Sequence, residues 1–251
     1  MLIPGDVGLR ARRGMDYMFE QTDQYQNARL LRFRTYMDHR RQEAHNVDER
    51  TPSTGPATAV VVDEGAQGEA SRTKLFASVP RIEGDRIVLD EIVDTDATAL
   101  RDLIDNQRVQ RYLPTYLFEK QFTDVRKAIR LLYGDLFANE ESLVLAIRLR
   151  ETGELVGLAE FYGLRDRLHK VSVGYRLREC WWGHGLATEA AGLMVGYLYG
   201  HTDIEIITAS TMVENEASAH VLEKVGFIRT ARFVEEDWGY PELTIVDKWF
   251  C

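Results

Sequence analysis

One stretch of the chain decides its fold: Trp181-Trp182-Gly183-His184-Gly185-Leu186-Ala187-Thr188-Glu189-Ala190-Ala191. Its two glycines separate a strand-like segment (Lys170 to Leu177) from a helix-like segment (Thr188 to Gly200). A glycine turn that enters a helix exposes several backbone N–H groups at the positive end of the helix dipole. This arrangement predicts a binding site for a phosphate or pyrophosphate group.

Two common nucleotide-binding motifs do not fit this stretch. Position 188 is Thr rather than a third glycine, so the dinucleotide-binding fingerprint is incomplete. No Gly-Lys-Ser/Thr sequence follows, which argues against a nucleoside-triphosphate P-loop. Thr188 is expected to cap the helix, and Glu189 then falls in the first turn, where negative charge is favourable.

Length and composition are those of a globular protein without special cross-links. The chain has 251 residues, enough for one large domain with an extension. Its two cysteines, Cys180 and Cys251, lie far apart and give neither a disulfide framework nor metal-ligand spacing, so no metal is expected. We find no N-terminal signal and no apolar run of membrane-spanning length, which predicts a cytoplasmic protein without membrane association.

The net charge of −9 is placed unevenly along the chain. Residues 1–80 carry 11 basic and 11 acidic side chains, whereas residues 81–251 carry 20 basic and 29 acidic ones. An acidic domain repels nucleic acid and attracts amines and basic peptides. Nucleic acid is therefore disfavoured as a partner, and an amine substrate is favoured.

The sequence divides near residue 80. Residues 1–79 read as an N-terminal extension, a partly helical arm followed by a linker rich in Thr, Pro, Gly and Ser. The arm could be a flexible segment or a docking element, and a homodimer stays open. In residues 80–251 the hydrophobic periodicity predicts the order β-α-α-β-β-β-α-β-α-β-β. This order predicts an α/β (α+β) fold, with a mixed, mostly antiparallel sheet and helices on both faces.

Three segments of this domain resemble the GCN5-related N-acetyltransferase (GNAT) family. Their residues are most similar to its RimJ/RimL-like branch, which acts on ribosomal-protein N-termini. The segments are Val173-Gly174-Tyr175-Arg176-Leu177, Trp182 to Ala190, and Asn215-Glu216-Ala217-Ser218 running into Leu222 to Phe227. The resemblance covers roughly residues 81–251. It implies acetyl-CoA as co-substrate and direct transfer of the acetyl group, in a ternary complex, to a primary amine of a protein N-terminus or a small molecule.

The resemblance also implies how the coenzyme is held. The family's pyrophosphate loop, R/Q-x-x-G-x-G/A, aligns with Trp182-x-x-Gly185-x-Ala187, so Trp182 departs from the pattern and backbone amides would hold the phosphates. The strand around Val173 to Leu177 would splay from its neighbour, and its backbone would bind the pantetheine arm. A free N–H near Val173 or Gly174 would then stabilise the oxyanion of the tetrahedral intermediate. The expected coenzyme-binding residues are Val173, Tyr175, Leu177, Trp182, Gly183, His184, Gly185, Leu186, Ala187, Thr188 and Asn215.

Two catalytic residues are expected on the same basis. Ser218 would protonate the departing thiolate, although helix capping also explains a serine at this position. RimJ/RimL-like sequences often carry Glu two residues before the Gly-Tyr pair, but this chain has Ser172, which cannot act as a base. If the hairpin is centred near Asp166, Glu160 pairs across from Val173 and becomes the candidate base. His169 and a water chain are the alternatives.

The sequence is compatible with more than one acceptor and with one alternative to an enzymatic activity. The acceptor could be a protein N-terminus, a polyamine, an amino sugar or an amine antibiotic, and the segment Tyr112 to Thr123 is expected to form one wall of its site. The aromatic side chains of that wall are Tyr112, Tyr116, Phe118 and Phe122. Because Ser172 replaces the expected Glu, a non-catalytic coenzyme-A-binding regulatory or scaffold module is the alternative function. A toxin that acetylates aminoacyl-tRNA is disfavoured by the acidic domain.

Overall fold

The computed structural model describes residues 72–115, 117, 120 and 123–251. The strands in this part are β1 (Ile82–Glu83), β2 (Ile87–Asp90), β3 (Ser142–Leu149), β4 (Leu155–Arg165), β5 (Lys170–Leu177), β6 (Ile206–Met212), β7 (Ile228–Glu236) and β8 (Thr244–Phe250). The α-helices are α1 (Ala97–Asp105), α2 (Gln107–Gln110), α3 (Val125–Leu131), α4 (Leu186–His201) and α5 (Glu216–Val225).

The eight strands form one sheet in the order β1-β2-β3-β4-β5-β6-β8-β7. Every neighbouring pair is antiparallel except β5 and β6, which are parallel and joined by the crossover helix α4. Parallel neighbours require such a crossover, because a short turn can only reverse the chain direction. The predicted mixed, mostly antiparallel sheet is confirmed.

Helices cover both faces of the sheet, as predicted. On one face, α1, α2 and α3 enclose a buried apolar cluster with Val144 and Ala146 of β3 and Leu158 of β4. Phe161 of β4 has the opposite orientation from Leu158, because side chains alternate along a strand. Its ring packs against Tyr197 of α4 with the ring centroids 6.3 Å apart. Both faces of β4 therefore carry buried side chains.

The sequence predicted some element boundaries correctly and others only roughly. Strand β5 and helix α5 have the predicted bounds, and α5 ends at Gly226, whose φ of 98° gives the expected left-handed C-cap. Helix α4 instead begins at Leu186, two residues earlier than expected. Its N-cap is Gly185, with φ of 75°, so Thr188 is the third helical residue and the prediction that it caps the helix is wrong.

A short segment before β1 packs onto the rest of the described structure. Thr73 forms a parallel bridge with Thr202, and the side chains of Leu75 and Phe76 are buried. The ring of Phe76 lies 5.5 Å from that of Phe137, centroid to centroid. Buried side chains of this kind contribute to the stability of the domain, although they precede residue 80.

The described residues contain free thiols but neither a membrane-spanning helix nor a metal-binding cluster. Cys180 is exposed, Cys251 is buried, and both are free thiols. The described ranges contain no helix that is both long and apolar enough to span a bilayer. Within those ranges there is also no group of three or more His, Cys, Asp or Glu side chains with the geometry of a metal site.

We predict that Leu75→Ala lowers the free energy of unfolding by about 2–5 kcal/mol, because it removes a large apolar side chain that is only 2% exposed. Urea unfolding of the full-length protein, followed by circular dichroism, measures this difference. The control is Leu168→Ala, since Leu168 is 59% exposed and its loss should change stability by no more than about 0.5 kcal/mol. Equal unfolding midpoints for the two variants would show that the Leu75 segment does not stabilise the domain.

Candidate active site

The sheet opens between β5 and β6. The two strands pair only over Lys170–Ser172 and Ile206–Thr208, although β5 continues to Leu177 and β6 to Met212. At the last pair the hydroxyl oxygens of Ser172 and Thr208 lie 2.9 Å apart. Beyond it, within the described residues, the β6 side of β5 has no strand partner. Such an edge can offer backbone polar groups to a ligand that runs alongside it.

A cavity of about 850 Å³ lies at this fork, within the range of small-molecule sites. It brings together five residues that the sequence analysis singled out, and these are Glu160, Val173, Tyr175, Asn215 and Ser218. Tyr112 of the predicted substrate wall also lines it, together with Leu113, Pro114 and Leu117. Tyr116, Phe118 and Phe122 of that wall lie outside the described residues.

One side of the cavity carries a pair of hydroxyl groups. The Tyr175 hydroxyl lies 3.1 Å from the Ser218 hydroxyl and 3.1 Å from the Ser218 carbonyl oxygen. Burial raises the pKa of Tyr175 above its ordinary value, so this phenol stays protonated at neutral pH. The Asn215 side chain accepts a hydrogen bond of 3.2 Å from the Ser218 amide and caps α5. Asn215 is therefore the N-cap of α5, and Ser218 is fixed at the first turn of the helix.

The opposite side of the cavity carries Glu160. Its Oε1 accepts a hydrogen bond from the Ser142 hydroxyl at 2.8 Å, and its Oε2 accepts one from Nη1 of Arg176 at 3.2 Å. The Glu160 side chain is only 13% exposed and that of Arg176 only 4%. The carboxylate is therefore fixed in the wall of the cavity, with lone pairs left for a further donor.

The predicted partner of Glu160 is wrong by one residue. Glu160 faces Gly174, whereas Phe161 faces Val173. The cause is the hairpin connection, where the turn Asp166–Leu168 and a register shift between Tyr162 and Arg165 move the centre of the pairing. A one-residue shift of this kind changes which side chains share a face, so the cross-strand neighbour cannot be derived from turn residues alone.

Two further residues differ from expectation. Arg176 was not singled out as a site residue, although strand alternation places it on the same face as Gly174 and could have identified it. His169, the alternative base, sits at the end of the hairpin turn with φ of 47° and its Nδ1 3.5 Å from Asp203. It does not line the cavity, so the structure does not bring it together with the other candidates.

The glycine turn adopts an anion-binding conformation. Gly183 and Gly185 have φ of 77° and 75°, a left-handed region that glycine enters without steric cost. In the part of the chain that the structure describes, the amides from Gly183 to Thr188 donate to no other backbone group. These are the unpaired N–H groups expected at the start of a helix.

The side chains of this turn contribute to packing. Trp182 donates a hydrogen bond of 2.9 Å from Nε1 to the Leu177 carbonyl, which joins the turn to the end of β5. His184 Nδ1 lies 2.8 Å from the Trp182 carbonyl oxygen, and the Leu186 side chain is buried. None of these residues, nor Ala187, lines the cavity at the fork. The predicted coenzyme residues thus divide into Val173, Tyr175 and Asn215, which line the cavity, and Leu177 with the turn at the start of α4, which do not.

The charges in the cavity wall are mixed. Its acidic side chains are Glu141, Glu160, Glu236 and Asp237, and its basic ones are Lys170, Arg176 and Lys248. Lys248 forms an ion pair with Glu236 and lies 3.1 Å from the Ser210 hydroxyl. Arg176 and Lys248 are each matched with a carboxylate, and Lys170 offsets one of the two remaining acids, so the cavity lining carries an excess of one negative charge.

Comparison with known proteins gives the family. The profile of the acetyltransferase (GNAT) domain matches residues 86–228, more than half of the chain. The chain therefore belongs to the GNAT acetyltransferase family, which uses acetyl-CoA, and it is an N-acetyltransferase. The uncharacterized N-acetyltransferase YoaA of Bacillus subtilis (strain 168) is 29% identical to it over 150 residues, or 59% of this chain and 82% of YoaA.

A second curated relative supports the RimJ/RimL-like branch, and a solved structure shares the fold. The [ribosomal protein uS5]-alanine N-acetyltransferase of Escherichia coli (strain K12) is 24% identical over 172 residues, covering 67% of this chain and 86% of the enzyme. The solved structure of RimL, a ribosomal L7/L12 alpha-N-protein acetyltransferase in complex with coenzyme A, aligns with a TM-score of 0.58 at 16% identity. That alignment covers 68% of this chain and 97% of RimL and shows a shared fold.

We predict that Gly185→Glu abolishes binding of coenzyme A. A side chain at φ of 75° strains the turn, and the added carboxylate repels an anion at the exposed amides. The matched control is Gly200→Glu, which adds the same charge to the other end of α4 at an exposed position with nothing within 4 Å of the new Cβ. Isothermal titration calorimetry with coenzyme A compares the two, and an unchanged dissociation constant for Gly185→Glu would refute this use of the turn.

Proposed function

We propose that this N-acetyltransferase carries the acetyl group of acetyl-CoA to a primary amine by direct attack in a ternary complex at the β5–β6 fork. The observation that carries the proposal is the parting of the two strands after Ser172 and Thr208, directly at the large cavity. A glycine turn with unpaired amides follows β5 at the start of α4. Together these features match the two ends of a long coenzyme, a diphosphate and an acyl-bearing arm.

The coenzyme is bound mostly by backbone. Its diphosphate accepts hydrogen bonds from the amides of Gly183 through Thr188, where the dipole of α4 also favours negative charge. Its pantetheine arm runs along the free edge of β5 from Val173 to Leu177, in the manner of an added strand. Asn215 lines the same cavity and donates from its side-chain amide to the arm.

Gly174 gives the thioester close access to the strand. A Cβ at this position would lie 3.5 Å from Cε1 of Tyr162, an ordinary contact, so packing within the chain does not require glycine here. A glycine in mid-strand suits the close approach of a ligand. The acetyl carbonyl then lies beside the N–H of Val173 or Gly174, and a donor at a developing oxyanion contributes about 3–4 kcal/mol to catalysis in comparable sites.

Glu160 binds the acceptor and takes its proton. The acceptor amine must lose a proton to attack, and Glu160 is the fixed carboxylate that faces Gly174 across the strand pair. An ammonium acceptor first gives one proton to Glu160, directly or through water, and solvent later removes that proton. The nitrogen lone pair then forms the new C–N bond, the C–S bond breaks, and the second nitrogen proton passes through water towards Ser218. Arg176 and Ser142 keep the carboxylate in its orientation throughout.

Ser218 completes the transfer by protonating the thiolate. Its hydroxyl lines the cavity at the first turn of α5 and is within hydrogen-bond distance of the Tyr175 phenol. A thiolate that leaves from the fork takes the Ser218 proton, the serine regains a proton released by the acceptor nitrogen, and the Tyr175 phenol stabilises the serine oxygen meanwhile by donating to it. Because burial raises the pKa of Tyr175 above its ordinary value, the phenol is protonated and able to donate at neutral pH.

We predict that Ser218→Ala and Glu160→Gln each lower kcat by about 10²-fold, the usual contribution of a positioned acid or base. The Michaelis constant for acetyl-CoA should change little, since neither side chain holds the diphosphate. The matched control for Ser218 is His220→Ala, an exposed residue on the same helix. Release of free thiol with time measures the rates, and wild-type kcat in either variant would remove that residue from the mechanism.

The acceptor is a cationic primary amine, of a protein N-terminus or a small molecule. The excess of carboxylates in the cavity attracts an ammonium group to the fork before deprotonation. The uS5-alanine N-acetyltransferase relative motivates peptides with N-terminal alanine as first candidates. Polyamines are the small-molecule candidates that fit the same charge.

We predict that a screen of amines with thiol detection yields turnover with at least one of these two groups. The panel contains short peptides with N-terminal alanine or serine, the same peptides N-terminally blocked as controls, spermidine, and glucosamine. Blocked peptides should be inactive, because direct attack needs a free amine. Binding of coenzyme A without turnover of any amine in the panel would contradict the proposed acceptor class.

A further inference from the structure

A buried carboxylate lies directly behind the glycine turn. Glu189, in the first turns of α4, has a side chain only 6% exposed. Its Oε1 accepts hydrogen bonds from the amides of Arg86 at 2.7 Å and Ile87 at 3.3 Å, and its Oε2 accepts one from Nε of Arg86 at 2.7 Å. A carboxylate with this many donors is stabilised in one position. It connects α4 to the turn between β1 and β2, far away in sequence.

The β1–β2 turn is shaped to receive this carboxylate. A Cβ at Gly84 would lie 2.9 Å from Oε1 of Glu189 and 2.7 Å from Cδ1 of Leu193. Both distances are shorter than real side chains allow, so the space that Glu189 occupies exists because residue 84 has no side chain. The turn is closed by a hydrogen bond of 2.8 Å from the Gly84 amide to the Ile87 carbonyl.

Arg86 extends the contact from Glu189 to the glycine turn itself. Its Nη1 donates a hydrogen bond of 2.8 Å to the carbonyl oxygen of His184, the residue between the two glycines. That carbonyl shares a planar trans peptide with the amide of Gly185, so the two groups point in opposite directions. By holding the carbonyl, Arg86 directs the Gly185 N–H away from itself, towards the side on which an anion would bind.

We propose that Gly84, Arg86 and Glu189 form a latch that sets the glycine turn in its coenzyme-binding conformation, with Arg86 and Glu189 as positioning residues. The two glycines can enter many conformations, so the turn needs an external contact to fix its amides. The latch supplies that contact, and Arg86 also compensates the charge of Glu189 beside the phosphate site. This inference rests on the proposed binding of the coenzyme diphosphate by the turn.

The test measures binding of coenzyme A itself by isothermal titration calorimetry on full-length variants. Arg86→Met keeps the apolar part of the side chain but has no group that can donate a hydrogen bond to the His184 carbonyl. We expect it to raise the dissociation constant about tenfold or more, the effect of losing one charged hydrogen bond. The number of sites per chain should be unchanged, and Arg86→Lys should restore part of the affinity.

A matched control is an arginine that contacts the β1–β2 turn but not the glycine turn. Arg150 donates a hydrogen bond of 3.0 Å from Nη1 to the Gly84 carbonyl but does not contact the glycine turn. Arg150→Ala should therefore bind coenzyme A with the wild-type dissociation constant. Gly84→Ala perturbs the latch from the other side, by displacing Glu189, and we expect it to weaken binding as Arg86→Met does.

The outcomes separate the latch from the function on which it rests. A wild-type dissociation constant for Arg86→Met would overturn the latch, and so would fewer binding sites at unchanged affinity, which indicates a purely structural role. Equal losses of affinity for coenzyme A in Arg86→Met and Arg150→Ala would also overturn the latch. The affinity would then depend on the β1–β2 turn as a whole and not on the contact of Arg86 with His184. If only the latch is wrong, Arg86→Met binds coenzyme A normally and Gly185→Glu still abolishes binding. If the glycine turn does not bind the coenzyme at all, both variants bind it with the wild-type dissociation constant.

Discussion

The site depends on one constraint, the parting of β5 and β6 after three parallel pairs. A sheet that stayed closed here would satisfy its backbone groups internally and leave no edge for a ligand. Because the strands separate at Ser172 and Thr208, the later residues of β5 face a cavity instead of a neighbour. The crossover helix α4, which the parallel pairing requires, starts beside that opening with its unpaired amides. Strand geometry thus produces both places at which the coenzyme is proposed to bind, the edge for its arm and the turn for its diphosphate.

Local sequence patterns predicted the elements that depend on local physics. Alternation over Lys170–Leu177 and helical spacing ended by Gly226 gave β5 and α5 with their observed bounds. The start of α4 lies two residues before the predicted one, because the prediction took Thr188 as the N-cap, whereas Thr and Gly have similar N-cap preferences. The structure uses Gly185 instead, since its left-handed φ allows the sharp turn that a threonine cap would not.

The sequence named candidate residues for the site but did not determine the contacts between elements. The family resemblance implied Val173 and Tyr175 on one strand and Asn215 and Ser218 at one helix start, and all four line the cavity. The contact of Glu160 with Arg176 crosses two strands, and its register depends on an irregular turn that residue types do not determine. The latch is less accessible still, because Arg86 and Glu189 are separated by 103 residues and meet only in the folded sheet.

The replacement of the expected glutamate by Ser172 is consistent with an enzyme once the neighbouring strand is considered. The Ser172 hydroxyl is used at the fork, where it meets Thr208 at the last strand pair. A carboxylate is nevertheless present in the cavity, supplied by Glu160 of β4 and held by Ser142 and Arg176. Catalysis requires a proton acceptor at a position in space, and an adjacent strand can provide it as well as the strand itself. The serine therefore moves the candidate base by one strand and does not remove it.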